Sequence, residues 1–159
     1  MLKINDQAPS LVAQTDQAPF DISMLKGQNV VVYFYPKDMT PGCTTEAQDF
    51  RDALADFKKC NTSIVGVSKD SCQRHAKFRE KNELNFYLAS DESGTICDAW
   101  GVWREKKNYG KTYMGIVRST FLVNSEGQIA QIWDNVRIKG HVEAVLEAAK
   151  ALNDSRPAS

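Results

Sequence analysis

The apolar run VVVYFY at residues 30–35 constrains the fold more than any other stretch of this chain. Six consecutive apolar or aromatic residues are typical of a strand that is covered on both faces, as in the parallel sheets of α/β proteins. A proline ends the run, and a Thr-Pro-Gly step then leads directly into a cysteine. The sequence therefore predicts a buried strand followed by a turn that carries Cys43.

The segments around this strand alternate between strand patterns and helix patterns. Residues 41–59 place apolar side chains at three- and four-residue spacing, which predicts a helix with one buried face. We also expect a small hairpin in the first 25 residues, strands at 63–68 and 85–90, a polar helix at 70–82, a short helix in SGTICDAWGV, a hairpin over 118–134 and a closing helix at 141–152. This order predicts a thioredoxin-like α/β fold, with a single domain over residues 1–152 and a flexible tail at 153–159.

The charge pattern argues against two classes of partner. Lys and Arg together number 20, as do Asp and Glu, so the net charge is zero with both histidines neutral. The sequence has no block of like charge, and it therefore predicts neither a nucleic-acid surface nor a membrane surface. The start MLKINDQAPS lacks the apolar core of a signal peptide, and VVVYFY is too short to span a bilayer. We expect a cytoplasmic protein.

The cysteines do not have the spacing of a metal site or of a disulfide scaffold. They stand at positions 43, 60, 72 and 97, without a C-x-x-C pair, and His75 and His141 are far apart. Structural zinc sites usually pair their ligands at short spacing, so we expect no metal site. Structural disulfides are rare in a reducing cytosol. The four thiols are therefore either inert core residues or redox-active groups.

The residues before Cys43 are those that begin a helix. Thr40 is a favoured N-cap, and Pro41 is preferred at the first helical position. In this register the backbone N–H groups of Gly42 and Cys43 have no partner within the helix, and the positive end of the helix dipole favours a thiolate. A free cysteine is also often an ordinary buried side chain. The residues alone leave both interpretations of Cys43 open.

A resemblance to a known family favours the reactive interpretation. Pro36, Thr40 and Cys43 form the spacing P-x-x-x-T-x-x-C, and the string VVYFYPKDMTPGCTTEAQDF resembles the bacterioferritin comigratory protein (Q-type) subfamily of the peroxiredoxins. The likeness continues through SDESGTICDAWGVW, YGKTYMGIVRSTFLVNSEGQI and the final helix. It implies a thioredoxin-like fold with a central mixed sheet and the peroxiredoxin N-terminal extension. It also implies a peroxidase that reduces hydrogen peroxide and organic hydroperoxides with a thiol reductant.

The resemblance also implies roles for individual residues. Cys43 would attack the peroxide and become a sulfenic acid, with Thr40 hydrogen-bonded to the sulfur and the peroxide, Arg118 completing the site and Pro36 shielding the thiolate from water. The N–H groups of Gly42 and Cys43 would hold substrate oxygens. No metal and no bound organic cofactor is implied.

Two of the site residues can be placed from the chain itself. If 118–124 runs antiparallel to 30–36, Arg118 lies at the same sheet edge as Cys43, where a permanent cation favours the thiolate. Otherwise Arg118 is an edge charge that faces solvent. Glu46 lies three residues after Cys43, on the same helix face. It is either a first-turn carboxylate interacting with the dipole or the partner that orients Arg118, and we prefer the second interpretation.

The sequence departs from the family at the resolving cysteine. The two positions that carry this residue in many members are Gln48 and about Arg79 in this chain. Cys72 is the best internal candidate, whereas we expect Cys60 to be inert and Cys97 to serve packing. Either an internal disulfide or an external thiol would then recycle the sulfenic acid, and the reductant would be thioredoxin or a glutathione–glutaredoxin system.

Other functions remain open at this point. A redox sensor or thiol-switch binding protein would oxidise Cys43 once without turnover, and an inert structural domain would leave it unreactive. A disulfide oxidoreductase is disfavoured, because the third residue before Cys43 is a threonine rather than a cysteine. We expect a monomer. We also expect Trp100, Trp103 and Tyr113 to lie in the core rather than in an exposed patch.

Overall fold

A seven-stranded mixed sheet forms the centre of the computed structural model, which describes residues 1–155. The strand order is β2-β1-β5-β4-β3-β8-β9; β3, β4 and β5 are parallel, and the other pairs are antiparallel. The strands are β1 (Val12–Thr15), β2 (Phe20–Asp21), β3 (Asn29–Phe34), β4 (Thr62–Ser68), β5 (Tyr87–Ser90), β6 (Trp103–Asn108), β7 (Lys111–Ile116), β8 (Ser119–Val123) and β9 (Ile129–Trp133). The helices are α1 (Pro41–Lys59), α2 (Cys72–Asn82), α3 (Thr95–Ala99) and α4 (His141–Asp154). This architecture confirms the predicted thioredoxin-like fold with a central mixed sheet.

Strand β3 is buried along its whole length, as its apolar sequence predicts. Its side chains alternate between two hydrophobic cores, because successive residues of a strand point to opposite faces. Val31 and Tyr33 join the core that contains residues of α1, α2 and α4, whereas Val32 and Phe34 join the core that contains Cys97 of α3 and the N-terminal segment. The sheet therefore separates the core beside α1 from the core beside α3.

Helix α1 has the predicted bounds, and the other helices differ slightly from prediction. Helix α2 begins at Cys72, two residues after its predicted start at residue 70. The Ser71 hydroxyl accepts a hydrogen bond from the Arg74 N–H, so Ser71 is the N-cap and the helix begins at the next residue. Helix α4 continues to Asp154, two residues past its predicted end, and residues 156–159 of the predicted tail lie outside the described residues. Within residues 1–155, no helix has the length and apolarity that a membrane span requires.

A two-stranded sheet formed by β6 and β7 has no counterpart among the predicted elements. Its strands are mostly charged or polar, and the turn between them is formed by Tyr109 and Gly110, both at positive φ. Short hairpin turns usually need this conformation at both central residues. Trp100 is buried as predicted and Trp103 is half-buried, but Tyr113 is 46% exposed. The core prediction for Tyr113 was wrong because the residue lies on this outer hairpin.

Candidate active site

The candidate site lies where β3 ends and β8 begins. The two strands pair antiparallel, and Phe34 stands opposite Ser119, so the start of β8 lies beside the carboxyl end of β3. Arg118 immediately precedes β8, and α1 begins a few residues after β3. The antiparallel arrangement on which the placement of Arg118 depended is therefore present, and the structure brings Arg118 to Cys43.

Cys43 is the third residue of α1 and is only 2% exposed. Its Sγ lies 3.3 Å from Nη2 of Arg118, within hydrogen-bonding distance for a sulfur acceptor. The first helical hydrogen bond from this turn is donated by the Thr44 N–H to the Thr40 carbonyl. The N–H groups of Gly42 and Cys43 therefore have no partner within the helix, and the dipole adds positive potential at the sulfur.

Glu46 holds the other side of the Arg118 guanidinium. Arg118 Nη1 donates to Glu46 Oε1 at 2.6 Å, and the Glu46 side chain is completely buried. Burial raises the pKa of Glu46 to about 7, although the charge and hydrogen bond of Arg118 act in the opposite direction. Burial alone would lower the pKa of Arg118, but the charges of Glu46 and Cys43 outweigh this effect and raise it. One guanidinium thus contacts both the thiol and the carboxyl group.

The remaining predicted residues surround this pair in different ways. Thr40 occupies the N-cap position with extended backbone, but its hydroxyl donates to the Lys37 carbonyl at 2.8 Å instead of capping the helix. A Cβ atom at Gly42 would lie 3.4 Å from Nη2 of Arg118 and 3.0 Å from Cδ1 of Ile138. Glycine at this position leaves space beside the first turn, first for the Ile138 side chain and also for the guanidinium. Pro36 is half-buried in the loop between β3 and α1.

Lys106 is a second cation near the site, and sequence reasoning did not identify it. Its Nζ donates to the Ile116 carbonyl at 2.9 Å, so the side chain crosses from β6 to the strand that leads to Arg118. Burial and the charge of Arg118 lower the pKa of Lys106, while the charge of Cys43 opposes the shift. The sequence contained no signal for this role, because Lys106 belongs to the charged stretch REKK in a hairpin that was not predicted.

The other three cysteines are in different settings. Cys60 is buried at the far end of α1, about 25 Å from Cys43 along the helix axis, and its thiol donates to the Phe57 carbonyl. Cys97 is completely buried in the core on the opposite face of the sheet, as expected of a packing residue. Cys72 is half-buried as the first residue of α2 and lines a cavity with Ser10, Val12 and neighbouring residues.

The fold and the site together define a class of protein. A thioredoxin-like sheet presents a cysteine in the first turn of a helix, and this thiol contacts an arginine that a buried carboxyl group orients. Such a site suits thiol-based redox chemistry, because a fixed cation and free backbone donors favour the thiolate, which is the reactive form of cysteine.

Comparison with known proteins identifies the family. The AhpC/TSA family pattern matches residues 4–132. The chain is 46% identical to peroxiredoxin Bcp of Bacillus subtilis over 154 residues, which cover 96% of this chain and 98% of that protein. It is 50% identical to peroxiredoxin Bcp of Xanthomonas campestris over 125 residues, 79% of this chain and 78% of that protein.

Solved structures agree with this assignment. The bacterioferritin comigratory protein of Xanthomonas campestris superposes with a TM-score of 0.86 at 40% identity, covering 96% of this chain and 98% of that one. A cysteine mutant of Xylella fastidiosa PrxQ gives a TM-score of 0.88 at 35% identity, covering 95% and 97%. The chain belongs to the AhpC/TSA family and is a peroxiredoxin of the Bcp type. Its activity is that of a thiol-dependent peroxidase, with a peroxide as substrate and a thiol as reductant.

Proposed function

We propose that Cys43 is the peroxidatic residue of an enzyme that reduces hydrogen peroxide and organic hydroperoxides. The observation that carries this proposal is the 3.3 Å contact between Cys43 Sγ and Arg118 Nη2, with the guanidinium fixed by Glu46. The thiolate attacks the terminal peroxide oxygen, so that an S–O bond forms as the O–O bond breaks. Cys43 becomes a sulfenic acid, and the leaving oxygen takes up a proton to form water or an alcohol. The related Xanthomonas campestris protein was studied for alkyl peroxide reduction, which supports organic hydroperoxides as substrates.

The surrounding groups stabilise the charge that moves during this step. Arg118 donates toward the sulfur, and the free N–H groups of Gly42 and Cys43 are suitable donors for the peroxide oxygens. Donors fixed in advance are most effective where negative charge develops in the transition state. We assign Thr40, whose hydroxyl oxygen can accept as well as donate, to the peroxide, and Pro36 to the shielding of the thiolate from water.

We propose that an external thiol recycles the sulfenic acid, with a disulfide to Cys72 as the internal alternative. The Cα atoms of a disulfide lie within about 7 Å of each other, and Cys60 is about 25 Å along α1 from Cys43. Cys97 lies on the other face of the sheet, and Gln48 and Arg79 occupy the positions of the family's resolving cysteines. The external reductant would be thioredoxin or a glutathione–glutaredoxin system.

Two further observations support proposals for the cellular setting and for the assembly state. All four cysteines are free thiols, which suits a reducing compartment, and we therefore propose that the enzyme acts in the cytoplasm and contributes to redox homeostasis there. Cys43, Arg118 and Glu46 all belong to one chain, so the proposed chemistry needs no second copy. We propose a monomer.

Intact-mass measurement under non-reducing conditions, after one equivalent of hydrogen peroxide, tests the proposal. We expect the gain of one oxygen, reversed by added thiol and absent in Cys43→Ser. Loss of two hydrogens would indicate an internal disulfide, and peptide mapping would then test Cys72. Continued peroxide consumption with excess thiol separates an enzyme from a redox sensor, which stops after one equivalent. Undiminished consumption by Cys43→Ser would contradict the assignment.

A further inference from the structure

A buried carboxylate holds the loop between β3 and α1. The Asp38 side chain is completely buried, and its Oδ1 accepts a hydrogen bond from the Tyr35 hydroxyl at 2.5 Å. Its Oδ2 lies 2.6 Å from Nδ1 of His75, and the Asp38 backbone N–H donates to Asp70 Oδ2 at 2.8 Å. Asp38 lies two residues before Thr40, so these contacts fix the segment from which α1 begins.

The hydrogen bonds of His75 determine its protonation. The ring is completely buried, with Nδ1 beside the Asp38 carboxylate and Nε2 at 3.1 Å from the Ala89 carbonyl. Both partners are acceptors, so the two contacts together require two protons. A neutral imidazole carries only one ring proton, and a carboxylate is a far weaker base than imidazole. This geometry favours the imidazolium form of His75, because loss of a proton would leave one buried acceptor without a donor.

The polar and charged groups that face this pair come from the end of β3, from the loop between β4 and α2 and from α2, while β5 contributes the Ala89 carbonyl. Asp70, in the loop between β4 and α2, binds Arg74 at 2.9 Å, and Arg74 also donates to the Asp38 carbonyl at 3.2 Å. Tyr35 contributes a neutral hydroxyl from the end of β3. Burial acts to lower the pKa of His75, but the hydrogen bond and charge of Asp38 outweigh it and raise the pKa, with smaller contributions from the Ala89 carbonyl and from Asp70. The cluster is thus balanced, with two carboxylates and two cations.

We propose that the Asp38–His75 ion pair positions Cys43 for its reaction by anchoring the loop that precedes α1. This inference rests on the proposed role of Cys43. The loop carries Thr40 and leads directly to the first turn of α1, where Cys43 Sγ meets Arg118. Asp38 and His75 are positioning residues, since their contacts are to the loop, to α2 and to β5 rather than to the sulfur.

The pair also makes this positioning depend on pH. Because the pKa of His75 is raised in the folded protein, the stability that the imidazolium contributes is fully present below its unfolded pKa of about 6.5. It is lost as pH rises through the raised folded pKa. Neutral His75 then leaves either Asp38 or Ala89 without its hydrogen bond, and the anchor on the loop weakens.

Nuclear magnetic resonance on the unmodified protein provides the first test. We expect the His75 ring to carry both ring protons at about pH 6 and to titrate above about pH 6.5. The Cys43 amide resonance should shift with the same midpoint. His141 is an internal reference, because burial lowers its pKa to about 4 and its ring stays neutral over this range. A singly protonated His75 ring at about pH 6, or a Cys43 amide that does not respond at its midpoint, would overturn the proposal.

Asp38→Asn provides the second test, because it keeps the side-chain shape and removes the charge. We expect the rate constant of Cys43 with hydrogen peroxide to fall about 10²-fold, as for a small misplacement of a reacting group. Iodoacetamide alkylation of Cys43 should fall too, and the pH dependence that follows His75 should disappear. Asp16→Asn is the matched control: it breaks the buried pair of Asp16 with Arg79, which is also on α2, without touching the loop. We expect its rate to stay within about 3-fold of the parent.

The outcomes separate this proposal from the proposed function. A folded Asp38→Asn that keeps the parent rate within about 2-fold, with the same pH profile, would overturn the positioning role. An equal loss in Asp16→Asn would also overturn it, since the effect would then be general destabilisation. If Asp38→Asn does not fold, the resonance titration of the parent decides. Cys43→Ser tests the proposed function separately, and failure there leaves the titration and alkylation measurements interpretable.

Discussion

Cys43 and Cys97 occupy the same position in two helices and differ in almost everything else. Each is the third residue of its helix, Cys43 in α1 and Cys97 in α3, and each helix follows a parallel strand. Both side chains are buried, at 2% and 0% exposure. Neither burial nor the position at a helix N-terminus therefore distinguishes the two thiols.

The charged partner distinguishes them. The sulfur of Cys43 faces the Arg118 guanidinium at 3.3 Å. The N–H of Cys97 donates to the Asp91 carboxylate at 2.7 Å, and burial, followed by the hydrogen bond and charge of Asp91, raises the pKa of the Cys97 thiol far above its usual range. A cation faces one thiol and a carboxylate faces the other, so the electrostatic effect of the partner on the thiolate has opposite sign at the two sites. The helix dipole contributes to both and decides neither.

Removal of the Arg118 cation should have the largest effect on the reactivity of Cys43. Arg118→Met deletes the donor to Cys43 and leaves Glu46 buried without its partner. We expect the rate constant with hydrogen peroxide to fall about 10²- to 10³-fold, the usual loss for one fixed donor to a developing charge. Stopped-flow measurement of intrinsic tryptophan fluorescence gives this rate.

Arg104→Met is the control for the loss of an arginine nearby. Arg104 pairs with Asp134, and both side chains are partly exposed. We expect this variant to keep the parent rate within about 3-fold, because partly exposed ion pairs contribute little. A folded Arg118→Met that matched Arg104→Met would show that the guanidinium does not distinguish Cys43 from Cys97.

The difference in reactivity should also appear in the unmodified protein. During iodoacetamide labelling at neutral pH, we expect Cys43 to react at least about 10-fold faster than half-exposed Cys72, and buried Cys60 and Cys97 to react only on unfolding. Quantitative peptide mapping over a time course measures all four sites in one sample. Labelling of half-exposed Cys72 before buried Cys43 would indicate that accessibility, rather than the charged partner, determines reactivity.

The sequence predicts the surroundings of Cys43 better than those of Cys97. The bounds of α1 were predicted correctly because proline and the apolar spacing both mark the helix. Strand β3 runs from Asn29 to Phe34, one residue earlier than the predicted run 30–35, and its burial was predicted by the apolar residues that it contains. Arg118 was placed correctly because a single topological assumption, an antiparallel β8, brings it to the sheet edge. Local signals and one pairing therefore suffice for the cysteine and its cation.

The parts that were not predicted depend on contacts between distant segments. His75 and Asp38 are 37 residues apart and meet only when β3 and β4 pair. Lys106 reaches the site through the β6–β7 hairpin, whose charged strands lack the apolar alternation that marks a strand in a sequence. Asp91 is close in sequence to Cys97. The αL conformation of Gly94, the N-cap of α3, reverses the chain direction, so that the Cys97 N–H reaches the Asp91 carboxylate.

Glu46→Gln should change the dependence of the protein's stability on pH. Burial raises the pKa of Glu46 from 4.5 to about 7, so the folded protein retains a proton that the unfolded chain releases. The stability linked to this proton is present below about pH 4.5 and is lost as pH rises through about 7. As pH rises from about 5 to about 8, the difference in free energy of unfolding between variant and parent should therefore change by about 2 kcal/mol in favour of the variant. Urea denaturation at both pH values measures this gain, and a difference that did not change with pH would contradict the assignment.

Asp91→Asn should have the smallest effect, and it separates the two causes that act on Cys97. The carboxylate accepts hydrogen bonds from the Ile96 and Cys97 N–H groups, and an amide can replace it only in part. We expect a loss of about 1 kcal/mol in free energy of unfolding, as for a weakened helix cap, whereas Asp98→Asn on the exposed side of α3 should cost less than about 0.5 kcal/mol. Burial is the largest cause of the raised pKa of Cys97, so the thiol should remain resistant to iodoacetamide after the carboxylate is removed. Rapid labelling of Cys97 in folded Asp91→Asn would instead make the carboxylate the dominant cause, and a change of one charge would then be enough to make this buried cysteine reactive.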